Sequence, residues 1–248
     1  MSFLSKIFKS EPKLDPINLS VFGADIHSHL IPGIDDGSPN METSVMLVKK
    51  FVELGFKKIV TTPHVMCDYY QNSSDKILGG LNDLREELLK QNVKIDISAA
   101  AEYNLDDGLQ NLIDNKDILT FGDNHVLFEL SFMQEPRNLQ EIIFNFQMAG
   151  YKPILAHPER YTYWYDTFER YDELKARGVQ LQLNLLSLAG HYSPQTRKVA
   201  EKMVDTNLVD AVGTDCHRIE HLMLLEDNLN LKHIHKLANQ EKLFNKTL

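Results

Sequence analysis

A parallel α/β barrel built from seven strand-and-helix units is the fold this sequence predicts, on three observations. Seven short apolar runs recur along the chain, with amphipathic helical patterns or turn residues between them. The runs are apolar almost throughout, as strands covered on both faces must be. Each ends in a polar residue that suits one shared site, and parallel strands bring their carboxyl ends to one face. An open doubly wound sheet is the alternative, but it would place a ligand at one topological switch rather than draw residues from every strand end.

The units follow in order. VFGADIHSH ends on His27 and His29. A helix is expected over 38–54, because Met41, Val45, Val48 and Val52 fall on one face and Gly55 supplies a stop. The strand KIVTTPH then ends on His64, and a second helical stripe runs through Ile77, Leu81, Leu84 and Leu88. VKIDISAAAE ends on Glu102 and VLFE on Glu129; Leu139, Ile142, Ile143 and Phe146 mark the next helix, closed by Gly150. PILAH ends on His157 and VQLQLN on Asn184, a helix is centred on Val199, Ala200 and Met203, and AVGTDCH brings Asp215 and His217. Residues 228–248 read as a closing helix. The irregular stretches 31–39, 65–74 and 185–192 each follow a strand, where site-forming loops belong. Altogether the pattern is an N-terminal arm over 1–20 and a single domain over 21–248.

Strand residues two apart point to one face, so His27 with His29 and Asp215 with His217 can each offer two ligands to one place. Adding Asp36, His64, Glu102, Glu129 and His157 gives nine candidate ligands. Imidazole and carboxylate without paired thiolates suit Mn²⁺, Fe²⁺ or Zn²⁺. Nine donors exceed what one ion can use and fit two or three, the arrangement suited to cleaving phosphate esters.

Bulk properties exclude other classes. A net charge of −9 and no basic run among aromatics argue against a nucleic-acid partner. Cys67 and Cys216 are the only cysteines and form no paired motif, which fits a reducing cytoplasm. Neither is followed by the arginine of a C-x5-R phosphate loop, so both read as inert thiols. No apolar run reaches the roughly 18 residues of a membrane span, and MSFLSKIFKS lacks the apolar core of a signal peptide. Phe3, Leu4, Ile7 and Phe8 cluster on one side of that segment; a frayed or packed arm is the stronger reading, with contact to the inner membrane surface or a partner as the alternative. His125, His221, His233 and His235 are expected at the far strand end or on exposed helix faces, and His191 near the mouth. Tyr69 and Tyr70 are expected at the rim, while Tyr161, Tyr163, Trp164 and Tyr165 read equally as packing or as ring contacts.

DIHSHLIPGIDDG, TTPH, AAAEY, FELS, AHPERY and GTDCH, in this order, resemble the polymerase and histidinol phosphatase (PHP) superfamily. Within it, the chain is most similar to the metal-dependent protein tyrosine phosphatases of capsule and exopolysaccharide operons, the CpsB/CapC branch. The resemblance spans residues 24–218 and implies a distorted TIM-like (β/α)7 barrel with a site for two or three ions, foremost Mn²⁺. Carried over, His27, His29, Glu102 and Asp215 would hold the first ion, Glu102, Glu129 and His157 the second, and Asp36, His64 and His217 the third. Asp36 is preferred to Asp35 because it stands seven residues after His29; Asp35 becomes a supporting group. Arg160 would grip the phosphoryl group, and Arg218, the last arginine in the chain, is the one available for a second such role. The implied reaction is in-line attack on phosphorus by water acidified at the ions, without a covalent intermediate. The implied substrate is the phosphorylated tail of a membrane tyrosine kinase controlling polysaccharide export. A small phosphomonoester such as histidinol phosphate, or a non-catalytic metal-binding regulatory module, are the alternatives. A general amidohydrolase is weaker, since the bridging lysine usual there has no place.

Overall fold

The computed structural model describes residues 14–248; the apolar segment 3–8 lies outside them. Nine parallel strands are present among the described residues: β1 (Ala24–Asp25), β2 (Lys58–Thr61), β3 (His64–Val65), β4 (Asp96–Ala99), β5 (Glu102–Asn104), β6 (His125–Glu129), β7 (Lys152–Ala156), β8 (Gln180–Asn184) and β9 (Ala211–Gly213). They form a three-stranded sheet in the order β1-β2-β4 and a six-stranded sheet in the order β3-β5-β6-β7-β8-β9.

The single closed seven-strand ladder that the sequence suggests is therefore replaced by two parallel sheets. Two expected strands are each cut in two. Pro63 lacks a backbone N–H and interrupts the ladder between β2 and β3, and Ala100–Ala101 interrupts it between β4 and β5. The cut is partial, because Ala100 N–H still donates to Thr61 O (2.9 Å) and Glu102 N–H to Pro63 O (3.0 Å).

Between β1 and β9 the sheets meet at a seam. At its upper end Asp215 N–H donates to His27 O (2.7 Å) and His29 N–H to Cys216 O (2.9 Å). At its lower end the buried Asn245 stitches both edges: its Nδ2 donates to Ala24 O (2.9 Å) and Val212 O (2.7 Å), and its Oδ1 accepts from Val212 N–H (2.8 Å).

The helices are α1 (Met41–Leu54), α2 (Ser74–Lys90), α3 (Leu109–Asp114), α4 (Leu139–Met148), α5 (Glu169–Ala176), α6 (Leu185–Leu188), α7 (Pro194–Asp205), α8 (Ile219–Asp227) and α9 (Lys232–Ala238). Asn40 caps α1 through a bond from Thr43 N–H, and Ser193 caps α7 through one from Thr196 N–H, with Pro194 in the first turn. The buried face of α2 is the stripe expected, Ile77, Leu81, Leu84 and Leu88, whereas that of α1 is rotated from it: Val45 and Val48 are buried with Leu47, Phe51 and Leu54, while Val52 is exposed and Met41 only partly buried.

The long closing helix over 228–248 is not formed; α9 stops at Ala238 and a short 3₁₀ turn, Phe244–Thr247, carries Asn245 into the seam. Residues 14–20 are likewise more than an arm, since Ile17 N–H bonds Leu229 O and Leu19 is buried in the core.

The main core lies between the sheets and the helices. A second, smaller cluster joins Ala24, Ile26, Val60, Ala100, Leu127, Ile154, Ala156 and Ala211, side chains from both sheets. Small residues there let the strands crowd together, and above that floor stand the polar strand ends.

Candidate metal centre

Strand register sets the cluster. His64 pairs with Glu102 across β3 and β5, and Asn104 with Glu129 across β5 and β6. All nine predicted ligands converge. His27, His29 and Glu102 form one group able to hold a cation, His27, His157 and Asp215 another, His64, Glu102 and Glu129 a third, and His29, Asp36, His64 and His217 a fourth. Glu102 is central: its Oε2 lies 3.1 Å from His27 Nε2, 3.5 Å from His29 Nε2 and 3.1 Å from His64 Nδ1, while Oε1 meets His157 Nε2 at 2.9 Å.

Backbone geometry at the site is unusual. His157 (φ 36°) and Asp215 (φ 51°) occupy the left-handed region, sparsely populated by residues with a Cβ. Such conformations persist where the surroundings over-determine them, and they cluster at functional sites. Two glycines make room. A Cβ on Gly213 would come within 2.5 Å of His27 Cβ, and one on Gly37 within 2.3 Å of His29 Cβ.

Neighbouring polar groups orient these imidazoles. His27 Nδ1–H donates to Gln182 Oε1 (2.8 Å), His29 Nδ1–H to Asp35 Oδ2 (2.8 Å) and His217 Nδ1–H to the Asp215 carbonyl (2.9 Å). Each bond turns Nε2 toward the cluster, the usual arrangement behind metal-binding imidazoles. Asp35, whose side chain is buried, thus lies behind His29, whereas the half-exposed Asp36 reaches His64 and His217 at 3.5 Å each.

Electrostatics follow from crowding opposite charges in a buried space. Burial alone would lower the pKa of His27, but the Glu102 and Asp215 carboxylates override it and raise it to about 9. Burial opposes ionisation of Glu102 and Asp215 too; the surrounding imidazoles nevertheless hold both well below the ordinary carboxylate range. The hydrogen bond from His217 and the charges of neighbouring imidazoles bring Asp36 down to about 2.

Does the donor set suit an ion? His27 Nε2, His29 Nε2, His64 Nδ1, Glu102 Oε2 and Glu129 Oε1 are all buried and lack hydrogen-bond partners. Buried polar atoms are rarely left so, and five converging ones of mixed N and O character fit first-row divalent cations.

The cluster floors a cleft of about 710 Å³ whose wall includes Arg160, His191, Tyr192, Phe132 and Arg218. Arg160 Nη1 donates to Asp215 Oδ2 (3.0 Å). Arg218 is placed differently from Arg160: it is exposed at the rim and its Nε donates to His221 Nε2 (3.1 Å). His221 is not on an exposed helix face as expected; it is buried beneath His217, because α8 starts at once after the strand end.

Tyr70 lines the mouth and stacks on His64, while Tyr69 points to solvent. Tyr161 and Trp164 are buried in edge-on packing. Cys216 faces the apolar core, where burial raises its thiol pKa far up, and Cys67 lies outside the cleft.

Gln182, Tyr192 and Phe132 were not among the predicted site residues. For Gln182 a signal existed, since it sits two before Asn184 and shares its strand face.

Parallel strands that deliver imidazoles and carboxylates to one arginine-walled cleft define the class, an α/β protein with a candidate metal-binding cluster. The family model for capsular polysaccharide synthesis, CpsB/CapC, matches residues 23–225, and the chain belongs to that family. Among similar proteins are the tyrosine-protein phosphatase YwqE of Bacillus subtilis, 26% identical over 79% of this chain and 78% of that one, and the tyrosine-protein phosphatase CpsB of Streptococcus pneumoniae, 29% identical over 79% and 83%. A crystal structure described as one of unique metal-dependent tyrosine phosphatases, YwqE and CpsB, superposes with a TM-score of 0.77 at 24% identity, covering 90% of this chain and 94% of that one.

Proposed function

We propose that this protein is a metal-dependent phosphomonoesterase that removes phosphate from tyrosine in a protein substrate, the phosphorylated tail of a membrane tyrosine kinase in capsule or exopolysaccharide synthesis. The observation that carries it is the set of five buried donor atoms that face one another at ion-pair distance beside Arg160 without making a hydrogen bond. The names of the relatives point the same way.

We read the two sheets as a distorted (β/α)7 barrel of PHP type over residues 21–248. The mixed cluster of small side chains and the backbone bonds across the seam support it. His27, His29, Glu102 and Asp215 would hold one ion, Glu102, Glu129 and His157 a second, and Asp36, His64 and His217 a third; His64 also faces Glu102 and Glu129. Bound divalent ions, Mn²⁺ foremost with Fe²⁺ or Zn²⁺ as substitutes, supply Lewis-acid charge neutralisation and acidify water.

The chain's own residues do the rest. Arg160, permanently charged, matches two phosphoryl oxygens with its fork and offsets the charge that grows on them. Arg218 would add a second positive group from the rim. Phenolate, with a parent pKa near 10, leaves readily and needs little acid assistance. The exposed rim at Asp36, Arg218 and Glu220 leaves the cleft accessible to a peptide. A cytoplasmic location fits such a substrate, and no described helix is long and apolar enough to cross a membrane.

The test is hydrolysis of a phosphotyrosine peptide beside histidinol phosphate, with metal content measured in parallel. Loss of peptide turnover on chelation and recovery with Mn²⁺ is expected. Preference for histidinol phosphate would move the substrate to a small molecule, and kinase binding with no turnover of either would leave a regulatory module.

A further inference from the structure

Asp215 divides its two oxygens between different tasks. Oδ1 faces His27 Nε2 and His29 Nε2 at 3.5 Å and His217 Nδ1 at 3.4 Å. Oδ2 accepts three hydrogen bonds, from Arg160 Nη1 (3.0 Å), Tyr192 OH (3.0 Å) and Asn184 Nδ2 (2.8 Å). Asn184 Nδ2 also donates to Tyr192 OH (3.0 Å), and Gln182 Nε2 donates to Asn184 Oδ1 (2.9 Å), so a polar chain runs from His27 through Gln182 and Asn184 to Tyr192.

Tyr192 has a second contact. The Arg160 guanidinium carbon lies 4.2 Å from the centre of its ring and 4.6 Å from that of Phe132. Cations are attracted to ring faces within about 6 Å, so one charge is held by two aromatic rings. These come from different loops, Phe132 from the one after β6 and Tyr192 from the one before α7, beyond β8, so they belong to the two strands that flank β7, which leads into Arg160. Phe132 in turn stacks on His157 (5.5 Å, 25°). Nη1 is the one guanidinium nitrogen with a hydrogen-bond partner among the described residues, leaving the rest of the fork available at the cleft wall.

We propose that Phe132 and Tyr192 are positioning residues that hold Arg160 in a fixed orientation for a phosphoryl group, and that the Tyr192 hydroxyl separately fixes the carboxylate of Asp215; this rests on the phosphomonoesterase activity proposed above. A long arginine side chain otherwise loses rotamer freedom each time it binds phosphate. Clamped in advance, it does not.

The ring and the hydroxyl make separable contributions. Inorganic phosphate binding to Mn²⁺-loaded protein is read by calorimetry, and Mn²⁺ affinity by competition with a chelator. Tyr192→Leu is expected to weaken phosphate about tenfold and to raise KM for a phosphotyrosine peptide in parallel; Phe132→Leu weakens phosphate severalfold. Tyr192→Phe, which keeps the ring, should leave phosphate within about twofold while weakening Mn²⁺ roughly tenfold, as loss of a group supporting a ligand does.

In an Arg160→Ala background, Tyr192→Leu should add nothing to the phosphate effect, because coupled residues are non-additive. Additive losses, or equal phosphate effects of the Leu and Phe variants, would overturn the clamp; unchanged Mn²⁺ affinity in Tyr192→Phe would overturn the role of the hydroxyl. Should Tyr192→Leu fail to fold, Phe132→Leu in the same Arg160→Ala background decides by the same criterion. A wild type that binds phosphate yet cleaves no aryl ester would count against the proposed function alone, with the phosphate affinities still judging the clamp.

Discussion

The imidazole of His27 shows how much a single residue depends on its support. Gln182 fixes its tautomer, Gly213 leaves space for its Cβ, and its Nε2 faces two carboxylates. Replacing Gln182 by Leu removes the acceptor that holds Nδ1–H, and metal affinity is expected to fall about 10- to 100-fold while the fold survives; retention of full affinity by chelator competition would show that His27 needs no such anchor. Gly213→Ala acts sterically instead. A 2.5 Å approach cannot be relieved by a flexible chain end, since the neighbour is His27 Cβ; loss of at least one equivalent of bound metal is expected by elemental analysis.

That the nine candidate residues converge was readable because imidazoles and carboxylates recur at the strand ends, whatever the local packing. The supporting groups were less so. Phe132 and Tyr192 lie on loops, where no periodicity tells which side chain turns inward.

Strands and helices with wide apolar stripes were equally legible, α1, α2, α4 and α7 among them. α5 was not, for ERYDELKA buries only Tyr171 and Leu174, and α3 and α6 are too short to display a period. The C-terminal segment misled for a different reason: its apolar residues suggested one helix, yet Asn245 earns its buried place by meeting three backbone groups on β1 and β9. Asn245→Ala leaves those groups without partners, each costing about 1–3 kcal/mol if it stays dry. A net destabilisation of about 2–4 kcal/mol is expected from urea unfolding, and a value under about 1 kcal/mol would mean that water takes over the stitch.

At the scale of the molecule, the two-sheet division could not be read, because it depends on where a ladder bond is just missed rather than on residue type. The near-closed arrangement ties stability to the cluster. In the metal-free protein, positive imidazoles and negative carboxylates neutralise one another in a buried space. Ligands that bind only the folded state stabilise it by about 2.7 kcal/mol at a hundredfold excess over Kd. At roughly 2–4 °C per kcal/mol for a chain of this size, Mn²⁺ should raise the melting temperature by roughly 5–10 °C, reversibly with chelator, in scanning calorimetry. An unmoved transition would place the ions outside the folded core.

The seam gives that linkage a mechanical side. His27 and His29 extend from one bank and Asp215 and His217 from the other, so a cation held between them would act as a rivet across the join. A stripped molecule would open there first and bare the unpaired margins of β1 and β9, which are templates for strand addition by another copy. Starvation for cations would thus cost the cell dissolved protein as well as turnover.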